Sequence, residues 1–305
     1  MNKLLTIFLI LVSFQLVSQP VVQSLNGYFA EVRMGKYPTL PQEVTKPENA
    51  KDVLIALSAY CNDSLSAIRS KAFAITRTIG VKAKQSSIRQ ESNQKLIQAC
   101  RDKDSGIIGS VLGYLTEFKK EDFTSVAKDS LRSVFKSRPA HLHQLIKLIG
   151  FIELNDLQPD LRLISAQSDA SKRDRWAAQL ALARMGDKAM MQNIIERVKK
   201  QQVNDDVVYE VFPDLIYTRQ MEAISYLTRV LFSDESNCLT ADTEREAKIP
   251  CAYRVMEQLA PVIEDYPLKL DESGDVKTKD YVAALKKVRE WFRQQKEYKI
   301  VRGTF

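Results

Sequence analysis

Apolar residues recur along this chain in runs with a helical period, the runs come in pairs, and the pairs return at a regular interval. Val53, Leu54, Leu57 and Tyr60 fall on one helix face, and Ile68, Ala72, Ile75 and Ile79 fall on the next. Leu96, Ile97 and Cys100 lead into Ile107, Ile108, Val111, Leu112 and Leu115, and Val126, Leu131 and Val134 lead into Leu142, Leu145, Ile146 and Ile149. Polar turns separate the runs. Asp63, Asp102, Asp169, Asp205 and Asp234 mark them, with Ser137-Arg138 standing where an Asp is missing. The interval of about 30 to 40 residues is the length of a helix-turn-helix repeat. A single hairpin of this kind cannot bury its apolar face, so neighbours must stack to make a continuous core. The expected fold is all-α: an α-solenoid of about five or six helix pairs over residues 49–267, with a groove open for docking.

Composition agrees with a folded chain and removes other classes. Of 305 residues, 45% are hydrophobic and 27% charged, with ten Gly and ten Pro, which excludes a disordered tail and a collagen-like chain. Two His in the whole chain exclude a His-rich metal site. The net charge of +7 is a mild excess and no block of five like charges occurs, so nucleic acid is not an expected partner.

The ends differ from the body. Residues 1–3 carry one positive charge, residues 4–17 are apolar except for Thr6, Ser13 and Gln15, and Ser18 and Gln19 follow. This pattern predicts a signal peptide over residues 1–18, hence an exported chain, periplasmic or secreted, with no membrane span after cleavage. Residues 19–48 hold Pro20, Pro38, Pro41 and Pro47 and predict an extended lead-in with one short helix over 24–32. Residues 268–305 predict a polar linker and a capping helix, with Tyr281, Leu285, Val288 and Phe292 on one face. Its other face carries Lys286, Lys287, Arg289, Arg293 and Lys296.

Export makes disulfides permissible. Cys238 and Cys251 flank a charged stretch with Asp242, Glu244, Arg245 and Glu246, and a bridge between them would stabilise the fold by about 3 kcal/mol in the chain-entropy model. Cys61 and Cys100 each end a helical run. In adjacent repeats their helices would lie roughly 8 to 10 Å apart, beyond the reach of a bridge, so two buried thiols is the equal alternative.

One unit is sharper than the rest. It runs Ser171-Lys-Arg-Asp-Arg-Trp176-Ala-Ala-Gln-Leu-Ala-Leu-Ala-Arg-Met-Gly186-Asp187 and is followed by Ile194, Ile195 and Val198. It closely resembles HEAT repeats of the phycobilisome-lyase-like type, in which a turn, a basic residue, small residues at the helix crossing and a Leu-x-x-Gly-Asp turn recur. Ala177, Ala178, Ala181 and Ala183 permit close approach of a neighbouring helix, and Gly186 suits a left-handed helix cap. Asp63 to Gly80 is a looser copy, with Ile68-Arg69 and Ala72 in corresponding places. The resemblance implies a fold far more than an activity.

Motifs for chemistry are missing. His141 and His143 are two apart and point to different sides of a helix, and no phosphate loop, Gly-x-Ser-x-Gly elbow or His-Glu-x-x-His occurs. Iron-binding and glycosylase members of the HEAT class use His-Glu pairs or a Trp-Asp groove; the chain lacks the former, and Trp176 beside Asp174 reads as packing. No cofactor or metal is expected. Charge is unevenly spread: Arg69, Lys71, Arg77, Lys82 and Lys84 have no acid between them, and Lys172, Arg173 and Arg175 open a later helix. Later units are acidic, with Asp205, Asp206, Glu210, Asp214, Asp234, Glu235, Glu264 and Asp265. The expected function is a non-enzymatic protein-binding scaffold or adaptor of the bacterial periplasm or cell envelope. Its expected binding residues are Arg69, Lys71, Arg77, Lys172, Arg173 and Arg175. The alternatives are binding of an acidic polymer or acidic partner through the early basic helices, and an enzyme using groove carboxylates such as Asp205 and Asp206.

Overall fold

The polar turns anticipated from the sequence are where the chain reverses. The computed structural model describes residues 18–240, 247–295 and 297–305. Two helices come first, α1 (Gln19–Arg33) and α2 (Gln42–Thr45). Six pairs of consecutive helices follow among the described residues. The first is α3 (Ala50–Cys61) with α4 (Ser66–Lys82), and the second is α5 (Ser86–Ala99) with α6 (Ser105–Leu115). The third is α7 (Ser125–Lys136) with α8 (Leu142–Phe151), and the fourth is α9 (Gln158–Ala166) with α10 (Lys172–Arg184). The fifth is α11 (Lys188–Val198) with α12 (Phe212–Thr218), and the sixth is α13 (Met221–Leu231) with α14 (Ala252–Leu259). The helix α15 (Tyr281–Gln294) ends the series. The connection within each pair contains one of the six predicted sites, and the described residues form an all-α succession of helical repeats with a C-terminal helix.

Local chemistry explains the turns. Asp104 caps α6 by accepting from the backbone N–H groups of Gly106 and Ile107, and Ser171 caps α10 by accepting from Asp174 N. At the end of α10, Gly186 sits at φ +94°, Gly186 N donates to Ala183 O, and Asp187 N donates to Leu182 O. This is the Schellman closure that the Gly-Asp pair predicted. Asp187 then caps α11 through Met190 N and pairs with Arg162 at 2.7 Å.

Three features differ from expectation. Residues 19–33 form a helix of 15 residues, which contains the short helix expected over 24–32 and extends it through the expected extended stretch. Val21, Leu25, Tyr28, Phe29 and Val32 make a buried helical stripe, and Pro20 sits in the first turn, where its missing N–H costs nothing. The chain also separates into two compact units, residues 1–92 and 93–305, so the array expected over 49–267 divides within α5. Finally, the chain turns between α4 and α5 at Ala83 to Gln85, a segment with neither Asp nor Gly to mark it in the sequence.

In the first unit α1, α3 and α4 enclose a core of Val21, Leu25, Phe29, Leu54, Leu57 and Ile68, with the Phe29 ring stacked on Tyr60 at 3.9 Å. In the second unit α10 is the central helix, packed against α8, α9, α11 and α12. Its Ala177, Ala178, Ala181 and Ala183 are all buried. Gly150 of α8 lies so close to Ala181 that a side chain there would collide with the α10 backbone.

Between α13 and α14 the short strands β1 (Cys238–Leu239) and β2 (Lys248–Ile249) pair antiparallel, and Cys238 and Cys251 form a disulfide with Cα atoms 5.1 Å apart. Cys61 and Cys100 are in no disulfide. Cys100 is buried and its thiol is pushed up to about 12 by desolvation. Residues 1–17 of the expected signal peptide, together with Asp242, Glu244, Arg245, Glu246 and Lys296, lie outside the described residues. Among the described residues no helix is long and apolar enough to cross a membrane.

Candidate functional site

The basic residues singled out by sequence divide into two kinds. Arg69 is 4% exposed, and its Nη1 donates to the main-chain oxygens of Asp63 at 2.9 Å and Ser64 at 3.1 Å. Arg175, one turn inside α10, donates to the main-chain oxygens of Ser168 at 2.9 Å and Ala170 at 2.6 Å. Arg89, not singled out before, does the same in α5 toward Ala83 and Lys84. Each of these arginines folds back over the turn that precedes its helix and satisfies carbonyls the helix cannot reach. Arg69 and Arg175 therefore anchor the turns that precede their helices. Arg77 is half-buried, whereas Lys71, Lys172 and Arg173 are exposed.

A second site was missed by sequence. Residues 297–305 leave α15 as an extended strap across the second unit. Lys299 O accepts from Glu264 N at 3.0 Å, and Val301 N donates to Val262 O at 2.9 Å. Ile300 thereby pairs antiparallel with Ile263. Beyond this point two arginines, each 4% exposed, take hold of the strap. Arg219 Nε donates to Val301 O at 2.9 Å and its Nη2 donates to Phe305 O at 2.8 Å. Arg184 Nη2 donates to Thr304 O at 2.7 Å, while its Nη1 donates to Tyr217 O. The Phe305 ring lies 5.7 Å from that of Phe151 and 5.2 Å from that of Tyr217. The Arg184 guanidinium sits over the same two rings, at 5.0 and 4.8 Å.

The electrostatics of this trough are unusual. Burial lowers the pKa of both guanidiniums, Arg219 to about 10, and for Arg219 the neighbouring Arg184 charge adds to the effect. Two like charges can persist here because carbonyl dipoles converge on them. Tyr217, raised by burial, donates its hydroxyl to Lys147 O at 2.6 Å and so fixes the trough wall. Behind it Asp214 accepts from Lys147 Nζ at 2.5 Å and from Trp176 Nε1 at 2.6 Å. Trp176 is thus a packing residue, with Arg197 over its ring at 4.7 Å. The sequence signal for the trough was available: Arg184 and Arg219 each close an otherwise apolar helix end.

The remaining candidates stay dispersed. Asp205 accepts from Leu239 N at 2.7 Å and steadies the β-hairpin, and Asp206 beside it is exposed. His141 is exposed at the start of α8 with its ring centroid 6.1 Å from that of His143. Among the described residues no group of three His, Cys, Asp or Glu is placed to hold a metal. Compared with models of protein families, with curated proteins and with solved structures, the chain matches none.

Proposed function

We propose that this chain is an exported, HEAT-type protein-binding scaffold of a bacterial envelope, and that its docking surface is the trough of Arg184, Arg219, Phe151 and Tyr217. The observation that carries this reading is the strap itself. An extended segment lies there with three of its main-chain oxygens accepting from two buried arginines and its phenyl ring seated between two aromatic rings. Contacts to main-chain oxygens are indifferent to side chains, so the trough suits any extended segment that ends in a ring, and the strap is its resident occupant. The disulfide supports an oxidising compartment.

The test is to supply the segment in trans. A chain lacking residues 300–305 is titrated with a fluorescent peptide of residues 297–305, read by anisotropy. Saturable binding that the intact chain shows at least tenfold more weakly, and that Arg219→Gln abolishes, is the expected result. A Phe305→Ala chain, which loosens the strap without shortening it, provides the same reading should the truncated chain not fold. A folded chain with a vacated trough that ignores the peptide would remove the basis of the proposal.

A specific observation also favours an anionic ligand as a second reading. Between Asp63 and Glu91 no acidic residue occurs, and Lys71, Lys82 and Lys84 there are exposed. A polyanion column eluted with a salt gradient measures it, because counterion release makes such binding steeply salt-dependent.

A further inference from the structure

The first unit contains a cavity of about 340 Å³. One wall is the segment from Leu40 through α2 to the start of α3, contributing Leu40, Val44 and Pro47; the other is the end of α4 and the start of α5, contributing Ile75, Ile79 and Ile88. The interior is thus an apolar slot. Of its polar neighbours, Thr78 and Thr45 donate their hydroxyls to Ala74 O and Gln42 O of their own helices, and Glu48 and Gln85 are exposed.

The rim is different. Lys46, Lys82 and Lys84 stand at its edge, with the single carboxylate Glu48 on the Lys46 side. Lys46 is already paired with Glu43 at 2.7 Å. Lys82 and Lys84 are exposed, and among the described residues neither has an ion-pair partner. The first turn of α5 opens on the same rim through Ile88, and its peptide dipoles add positive potential there. An apolar slot ending in two unpaired ammonium groups and a helix N-terminus has the polarity of one chemical class. We infer that the slot binds a single-chain amphiphile with an anionic head, of the fatty-acid class, with its chain between α2 and α4 and its carboxylate at Lys82 and Lys84. The volume is near the lower end of small-molecule sites, about 300 to 1,000 Å³, which fits one acyl chain and is too small for a two-chain lipid.

This inference is independent of the peptide trough, which lies wholly in the second unit. The experiment uses the full chain and isothermal titration with dodecanoate, dodecyltrimethylammonium and butyrate, each below its micellar concentration. Dodecanoate is expected to bind with one-to-one stoichiometry, and both the cationic amphiphile and the short acid at least tenfold more weakly. The double substitution Lys82→Gln and Lys84→Gln, at exposed positions, is expected to weaken dodecanoate about tenfold. Ala83→Phe, at the half-exposed rim, is expected to close the slot and abolish binding. Absence of saturable dodecanoate binding overturns the inference. So does equal affinity for the cationic amphiphile, or indifference to both substitutions in variants that keep the parent circular dichroism spectrum.

Discussion

Gly150 is the position at which the packing of the second unit can be tested most sharply. In an unobstructed helix a Gly→Ala change stabilises by about 1 kcal/mol, because alanine gives up less backbone entropy. At Gly150 the added methyl would stand 2.7 Å from Ala181 Cα and 2.8 Å from Ala181 Cβ, and would press on the Tyr217 hydroxyl. The α10 backbone cannot yield without disturbing its contacts with α9, α11 and α12. Tyr217 can swing away only by giving up its hydrogen bond to Lys147 O, which leaves a buried hydroxyl unpaired. Overpacking costs about 1 to 3 kcal/mol and the orphaned hydroxyl a similar amount, so after the helix-propensity gain the net loss is about 3 kcal/mol. Both tryptophans, Trp176 and Trp291, belong to the second unit, so urea unfolding followed by their fluorescence reports on that unit alone. The midpoint should fall while the m-value stays constant. Gly113→Ala is the control: it is a helical glycine of α6 with open space around it, and should raise stability by up to about 1 kcal/mol. A Gly150→Ala chain as stable as the parent, or two substitutions that move the midpoint in the same direction, would refute the close-crossing argument.

Other outcomes follow from single features. Replacing Cys238 and Cys251 together by Ala frees a loop closed over a sequence separation of 13 and should cost about 3 kcal/mol, measured by the same unfolding curve. Arg69→Met and Arg175→Met should each cost about 1 to 3 kcal/mol by stripping turn carbonyls of their donor, whereas Lys71→Met and Lys172→Met should stay within about 0.5 kcal/mol. Arg138 sits in the left-handed region at φ 48°, so Arg138→Gly should raise the melting temperature by relieving about 0.5 to 1 kcal/mol of net backbone cost. His143 is held below the ordinary imidazole pKa by burial first, with Arg173, His141 and Lys147 adding and Asp174 opposing. The unfolded chain therefore takes up this proton before the folded one does, and the stability associated with neutral His143, intact above the ordinary imidazole pKa, is lost as the pH falls below it toward the lower folded value. His143→Gln should flatten that part of the stability profile, as measured by urea unfolding at pH 5.5 and 7.5.

What could be read in advance was whatever repeats or closes locally. The hairpin turns were legible because turn chemistry acts over a few residues: an Asp or Ser offers its side chain to the next helix, and Gly186 takes a φ that other residues resist. The small face of α10 was legible because four alanines at helical spacing have few other uses. The destination of a charged side chain was not, and the arginines show why. Arg69 and Arg175 follow an aspartate-bearing turn by six residues, and that spacing already places them over carbonyls of their own loop. A long side chain on the first turn of a helix reaches back as readily as outward, so charge alone does not say which way it goes. Arg184 and Arg219 are different: Arg219 reaches Ile216 O of its own turn and Arg184 reaches Tyr217 O, but the acceptors that hold the strap are Thr304, Val301 and Phe305, more than 80 residues away. No helical or turn pattern encodes a contact of that range. What the sequence does encode is its cost, since a guanidinium at the end of an apolar run must be satisfied by something once that end is buried. A guanidinium left with donors to spare at a buried helix end is accordingly a request for a distant main chain, and in this protein both such requests are met by one strap.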